Sequence, residues 1–504
     1  MSAAVTGQNR PNILFVVSDE ERRNDWLDGV VDLPAHERLR RDGTSFDRHY
    51  THASPCSPSR ASLYTGTYLW EHGVVNNVSF PSHIPLDPTV LTVGQRLKDR
   101  GYRSAYLGKW HLSHGGDPDL ASHGYDDWQG NDKHFTGNAW TGRFFDPIIT
   151  DQALEWLQQH GTGDTPWFLT VALVNPHDIM WYPIDHLSRQ SGTDRETFAF
   201  IQDFVLGGEV PVEPPPEDYP ERFGKLPANF NDDLSTKPEI HRRWQQVRNT
   251  EHFVGSIDQA DHQTWLRGLD YYAWLHEQLD LSLQRLLSQL DDLNIYDDTM
   301  IVYTSDHGDA CGSHGLRAKL PCVYEEVVGV PLIIKPAAGS GDHTMVGRPG
   351  QRTRSLSSSV DVAATIAAAA GADSEGMSGV DLAPVLTNAT ASVREAVLFG
   401  QDSAQSDALA DVRYALRGFF DGTTKYARYF GVGGGIRRDG RVSEDPKSVP
   451  ADALFGDQEH EWYEVQTDPA ELENRAFNSS GSEQQQLTEL FTRQLRFEQS
   501  GGVH

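Results

Sequence analysis

The stretch "NILFVVSDEE", residues 12–21, passes directly from an unbroken apolar run into Ser18, Asp19, Glu20 and Glu21. A short apolar run with no polar alternation fits a strand buried on both faces, as in a parallel sheet. Open α/β sheets bind ligands at the carboxyl ends of such strands, which is where these acids fall. The same pattern recurs twice: "PWFLTVALVNPHD" (166–178) runs into His177 and Asp178, and "DTMIVYTSDHGD" (298–309) runs into Asp306 and His307. Between these strands lie segments with helical periodicity. They are "TVLTVGQRLKDRG" (89–101) with its glycine stop, "DPIITDQALEWLQQH" (146–160), and "YYAWLHEQLDLSLQRLLSQL" (271–290). "YRSAYLG" (102–108) reads as a further strand, and the alanine-rich "SVDVAATIAAAAGADSEG" (359–376) as a helix.

The alternation of strands and helices predicts an α/β fold: a large, mostly parallel mixed sheet sandwiched by helices. Beyond residue 385 the pattern changes. "REAVLFGQ", "VRYALRGFF", "TKYARYFG" and "EWYEVQTD" are short, aromatic and separated by turns. They predict a smaller antiparallel sheet, followed by a terminal helix in "SEQQQLTELFTRQLRFEQ". The expected organisation is a large α/β domain over 1–384 and a C-terminal α+β subdomain over 385–504. Residues 182–250, rich in proline and charge, are expected to form a loop-rich excursion over the surface.

Composition narrows the function. The 504 residues are 38% hydrophobic and 10% aromatic, which fits a folded globular chain. Lys and Arg number 43 against 72 Asp and Glu, a formal charge of −29. That balance argues against nonspecific binding to nucleic acid or an anionic membrane. An anionic substrate would need local cations to overcome it. Three scattered cysteines make neither a disulfide scaffold nor a zinc spacing. The start carries no charged leader ahead of a free apolar region and no apolar run reaches membrane-spanning length, so cytoplasmic residence is expected.

Cys56, in "THASPCSPSRASLYTG" (51–66), admits two readings from the residues alone. It is a small buried residue near a helix start, or a nucleophile. Pro58 presets a bend and Ser59 can cap a helix over the following residues, with Arg60 about one turn from Cys56. A thiolate at such a position would be stabilised. The many histidines offer no unique base for a cysteine hydrolase. Lys109 and His111 in "GKWH" alternate on an extended segment, so both can face one side while Trp110 packs behind.

The segment "CSPSRASLYTG" resembles the signature of the type I sulfatases, within the alkaline-phosphatase-like superfamily. The resemblance extends in order along the chain through "PNILFVVSDE", "GYRSAYLGKWHL", "NPHD", "SDHGD", "HGLRAKLPCVYEEVVGVPLIIKPA" and "EWYEVQTDPAELENRA". It implies that a formylglycine-generating or equivalent maturation enzyme oxidises Cys56 to Cα-formylglycine, whose hydrate attacks the sulfur of a small sulfate ester. It also implies one divalent cation held by Asp19, Glu20, Asp306 and His307. Glu20 stands where many members carry Asp, and His307 where Asn is frequent. Calcium is preferred for an oxygen-rich set, while the His307 nitrogen admits magnesium or manganese. Arg60, Lys109 and Lys319 are implied as sulfate or alkoxide contacts, His111 as the partner of the formylglycine hydroxyl, and His177 as donor to the leaving group. Asp178, which either orients His177 or solvates a turn, and His314 are further candidate substrate contacts. Phosphonate monoester hydrolysis or phosphodiester hydrolysis is the alternative for the same site, and a non-catalytic metal-binding role is a further one. Trp128, Trp140, Trp181 and Tyr182 are too little constrained to designate an aromatic cage.

Overall fold

The computed structural model describes residues 10–78, 83–114, 120–129, 141–183, 218–250, 255–338, 348–403, 405, 407–409, 411–431 and 458–500. The described strands, in chain order, are β1 (Asn12–Asp19), β2 (Thr44–Phe46), β3 (His49–Tyr50), β4 (Arg103–Gly108), β5 (Asp127–Gln129), β6 (Trp167–Pro176) and β7 (Thr299–Ser305). They continue with β8 (Leu332–Lys335), β9 (Gln351–Thr353), β10 (Ser357–Ser358), β11 (Val397–Gln401), β12 (Ala415–Phe420), β13 (Thr424–Phe430) and β14 (Glu459–Glu464). Eight of them build one sheet in the order β5-β4-β6-β1-β7-β8-β2-β9. Every pair in it is parallel except those that β8 makes with β7 and β2. β1 lies at the centre, with Leu14 level with Leu169 on one side and Ile301 on the other.

The side chains of β1 alternate between two cores, which is why its apolar run is unbroken. The longer helices are α1 (Pro34–Asp42), α2 (Cys56–Thr65), α3 (Val93–Asp99), α4 (Thr141–His160), α5 (Glu239–Thr250), α6 (His262–Asp292), α7 (Ser359–Ala369) and α8 (Ser482–Ser500). Ile13, Phe15 and Val17 pack with Leu63 of α2, Val93 and Leu97 of α3 and Ile366 of α7. Leu14 and Val16 face the other way, onto Leu39 of α1, Ile149 and Leu157 of α4, and Leu279, Leu283 and Leu286 of α6. Each fully buried aliphatic or phenyl side chain contributes about 1.5–3 kcal/mol. A strand fixed by two such cores holds its polar end in one place.

β11 to β14 form the expected antiparallel sheet, and α8 packs on it through Leu487 and Phe497 against Phe419 and Tyr426. The region 182–250 differs from expectation where it is described. α5 is helical, with Ile240 and Trp244 fully buried beside Leu316 and Leu320, and Trp244 Nε1 donates to the Arg317 carbonyl at 2.8 Å. Its arginines and glutamines disguise an amphipathic helix that packs rather than solvates. Residues 184–217 of that stretch lie outside the described residues. Among the described residues, no helix is long and apolar enough to cross a membrane.

Candidate active site

The three strand ends singled out in the sequence meet. Ser18 is level with Ser305 and Asp19 with Pro176, so Asp19, Asp306 and His177 emerge side by side from β1, β7 and β6. Glu20 then adopts a positive φ of 67°, a left-handed turn. Its amide donates to Asp306 Oδ1 at 3.1 Å and its Oε2 receives Lys319 Nζ at 2.6 Å.

Helix α2 delivers Cys56 and Arg60 to this edge. It begins at Cys56 itself, not beyond Ser59, and no side chain caps it. Instead of capping, Ser59 Oγ donates to the Asp306 carbonyl at 2.5 Å. Ser57 Oγ likewise donates to the His111 carbonyl at 2.5 Å. The two serines pin the first turn of α2 to both neighbouring strand ends, a role the sequence alone did not reveal although their i, i+2 spacing around Pro58 was visible. Gly66, at φ 69°, ends the helix with its amide bonded to Ser62.

Arg60, fully buried, bridges the acids. Nη2 reaches Asp19 Oδ2 at 2.7 Å, Nε reaches Asp306 Oδ2 at 3.0 Å, and Nη1 donates to the Lys109 carbonyl at 2.8 Å. Lys109 and His111 do not alternate along a strand. β4 ends at Gly108, whose φ of 99° turns the chain, and a Cβ there would lie 2.0 Å from the Ala172 carbonyl oxygen. Only glycine permits that approach. After the turn Lys109 Nζ lies 2.6 Å from Asp19 Oδ2 and 3.8 Å from Cys56 Sγ. His111, at φ 60°, is buried. Trp110 packs behind, stacked 5.5 Å from Tyr64, as expected.

Cys56 Sγ is the focus of these groups: His307 Nε2 is 3.2 Å away and Asp19 Oδ1 3.8 Å. Burial, then the Asp19 charge, pushes the thiol up, so it is held protonated rather than as the thiolate that a helix start beside Arg60 suggested. Arg60 does not offset this, because its guanidinium is bonded to Asp19 and Asp306. Burial also pushes Asp19 up, but Lys109, His177 and Arg60 outweigh it and hold the carboxylate well below its ordinary range. Burial drives His111 well down, helped by Lys109 and Arg60. It drives His177 well down too, helped by Lys319 and Lys109. Both are therefore neutral imidazoles. His177 Nε2 faces Glu20 Oε2 at 3.4 Å.

Among the described residues, two groups could hold a cation: Asp19, Cys56, Asp306 and His307, and Asp19, Glu20 and His177. The donor set fits a hard divalent ion, with three fully buried carboxylates and imidazole nitrogen. Glu20 Oε1 is buried without a hydrogen-bond partner, and burial pushes this carboxyl well up, the condition a bound cation would relieve. Asp309, not singled out from the sequence, adds a second acid beside Glu20. Its only signal was its place in "SDHGD".

Asp178 is buried and makes no side-chain hydrogen bond to His177 among the described residues. Its carboxylate accepts the Gly142 and Arg143 amides at 3.1 and 2.8 Å, closing the first turn of α4. His314 bonds Asp232 Oδ2 at 2.7 Å and stacks 3.9 Å from Tyr324, partners that lie outside the cluster. Among the aromatic residues, Tyr182 packs on Tyr271 and Trp128 on Tyr106, while Trp140 lies outside the described residues.

A family model described as Sulfatase matches residues 11–372. The chain is 27% identical over 368 residues to the uncharacterized sulfatase YidJ of Escherichia coli K12, covering 66% of this chain and 63% of that protein. It is 27% identical over 409 residues to the multifunctional alkaline phosphatase superfamily protein PehA of Trinickia caryophylli, covering 71% of this chain and 73% of the relative. In fold it is similar to BT4656, solved in complex with its substrate D-glucosamine-2-N,6-O-disulfate. The TM-score is 0.70 at 20% identity, over 98% of each chain.

Proposed function

Since the chain belongs to the formylglycine-dependent sulfatase family, within the alkaline-phosphatase-like superfamily, we propose that it hydrolyses small sulfate monoesters to an alcohol or phenol and inorganic sulfate. One observation carries this reading above the others. Cys56 Sγ stands where three strand ends converge, within 3.8 Å of Lys109 Nζ and Asp19 Oδ1 and 3.2 Å of His307 Nε2. A protonated, buried thiol is a poor nucleophile in that position, whereas an oxygen there would be surrounded by the charges that sulfuryl transfer needs.

Cys56 is accordingly the target of a maturation enzyme that converts its CH2–SH to an aldehyde, whose hydrate carries two hydroxyls. One hydroxyl oxygen attacks sulfur in line as the bond to the leaving-group oxygen breaks. His177, neutral and buried beside Lys319, donates a ring N–H hydrogen bond to that oxygen, which takes up the proton given up by the attacking hydroxyl. His111 takes the proton of the second hydroxyl, the C–O bond to sulfate breaks, and the aldehyde returns. Lys109 and Lys319 supply the local positive charge that a chain of −29 needs to admit an anion. Asp19, Glu20, Asp306 and His307 would hold a divalent cation, calcium in preference to magnesium or manganese, which when bound supplies Lewis-acid stabilisation of the oxygen charges.

The similarity to a multifunctional superfamily protein supports a second reading, phosphonate monoester or phosphodiester hydrolysis by the same groups. Enzyme with residue 56 fully converted, assayed on an aryl sulfate, choline sulfate, a phosphate monoester, a phosphate diester and a phosphonate monoester, separates the two. The highest kcat/KM is expected for a sulfate. A diester or phosphonate in first place would install the second reading instead.

A further inference from the structure

A second cavity, of about 1090 Å³, opens between the segment that follows β1, helix α1, strand β2 and residues 223–229. None of Asp19, Glu20, Cys56, Asp306 or His307 lines it. Its charge runs against that of the protein: eight arginine and lysine side chains line it against five carboxylates, in a chain of −29. Some of these cations are spent, Arg23 on Glu325 at 2.8 Å and Arg352 on Asp47 at 2.9 Å. Arg22, Arg48, Lys225 and Arg354 form no ion pair among the described residues.

Arg22 is the most informative of the four. It is 6% exposed, its Nε is buried without a hydrogen-bond partner, and its only side-chain hydrogen bond among the described residues is a long one, Nη1 to the Ala310 carbonyl at 3.5 Å. The guanidinium lies 4.0 Å over the Trp26 ring. Glu326 acts on this guanidinium only at longer range, without an ion pair among the described residues, and an anionic ligand would relieve the cost of burying it. Trp26 and Phe223, stacked at 5.4 Å, line the same cavity with Phe46 and Leu226. Ligand cavities combine apolar walls of this kind with a few polar anchors, and the volume is that of a site for an organic molecule rather than for a bare ion.

We propose that this cavity is a second, non-catalytic site for an organic anion: a sulfate, sulfonate or carboxylate group held by Arg22, with Arg48 and Lys225 at the rim, on an apolar or aromatic body seated against Trp26 and Phe223. Planar guanidinium groups suit bidentate recognition of such oxyanions.

The test uses two fluorescent probes of one ring system, 8-anilinonaphthalene-1-sulfonate and the uncharged N-phenyl-1-naphthylamine, on the folded full-length chain. Wild type is expected to bind the sulfonate at least about tenfold more tightly than the neutral probe. Arg22→Gln should remove that preference, and Asp19→Asn, in the catalytic cluster, should leave it intact. If Arg22→Gln fails to fold, the double variant Arg48→Gln, Lys225→Gln reads the same preference from the rim and should at least halve it. Equal affinity for the two probes, a sulfonate preference that survives in the arginine variants, or one abolished by Asp19→Asn would overturn the proposal. So would sedimentation as a dimer whose formation excludes the sulfonate, because the cavity would then be an interface between copies.

Discussion

Oδ2 of Asp19 receives two cations, Arg60 at 2.7 Å and Lys109 at 2.6 Å, leaving Oδ1 toward Cys56 and His177. Asp19→Asn keeps the volume and loses the charge that orders all four. It should lower kcat/KM by about 10²–10³ or more and also lower the melting temperature, since Arg60 and Lys109 lose a buried counter-charge. Chelation should remove activity from wild type, and added calcium should restore it. His177→Gln separates a hydrogen-bond donor to the leaving oxygen from a packing residue. Its cost should be smallest for an aryl sulfate with an acidic leaving phenol and should grow for alkyl sulfates, because charge on the leaving oxygen is greatest for poor leaving groups. A uniform loss across that series would remove His177 from the leaving-group role. Asp19, His177 and Asp306 were legible in the sequence because each sits at the end of an apolar run. The protonated state of Cys56 was not, since it depends on the burial of the thiol and on Asp19, 37 residues away in the chain, lying beside it.

Helix α4 shows how an element can support the site without touching it. Asp178 holds its first turn by two backbone amides, one residue after His177, so the strand end and the helix start are tied together. Asp178→Ala should cost about 1 kcal/mol of stability by chemical denaturation, the usual worth of a helix cap. Activity should fall through loss of order at His177. Strands β1, β6 and β7 were readable from their unbroken apolar runs, because burial on both faces removes the polar alternation that confuses other strands. α5 was hidden, because its outward face of Arg242, Arg243, Gln246 and Arg248 reads as a solvated loop until Ile240 and Trp244 are seen to be covered. "GKWH" misled in another way. Its expected alternation is absent, because Gly108 and His111 take positive φ angles that no extended segment has.

Across the whole molecule the two sheets are joined by apolar packing and by buried charge. Tyr50, Val323 and Val327 pack with Val397, Leu416 and Tyr429. Beside them Glu325 bonds Arg23, which follows β1, at 2.8 Å and Lys425, on β13, also at 2.8 Å. Burial pushes Glu325 up, but Lys425 and Arg23 outweigh it and hold it at about 2, against an ordinary 4.5. A depressed carboxyl contributes stability that is fully present above pH 4.5 and is lost as pH falls toward 2. Glu325→Gln should therefore destabilise the protein by about 3 kcal/mol at pH 7 and by much less near pH 2. Melting curves across that range would show wild type and variant converging, and a constant gap would contradict the assignment. The domain-scale pattern was visible in the change from long apolar strands to short aromatic ones near residue 385. The charged joint was not, because nothing local marks Glu325 and Lys425 as partners. Everything proposed for the catalytic cycle depends on residue 56 working as an oxygen nucleophile made from cysteine. The decisive experiment follows the mass of the peptide containing residue 56 against turnover on an aryl sulfate, over preparations matured to different extents. Activity should be proportional to the fraction lighter by about 18 Da, the change from thiol to aldehyde, and should vanish where the thiol is intact. Full turnover from protein whose Cys56 is unmodified would contradict it.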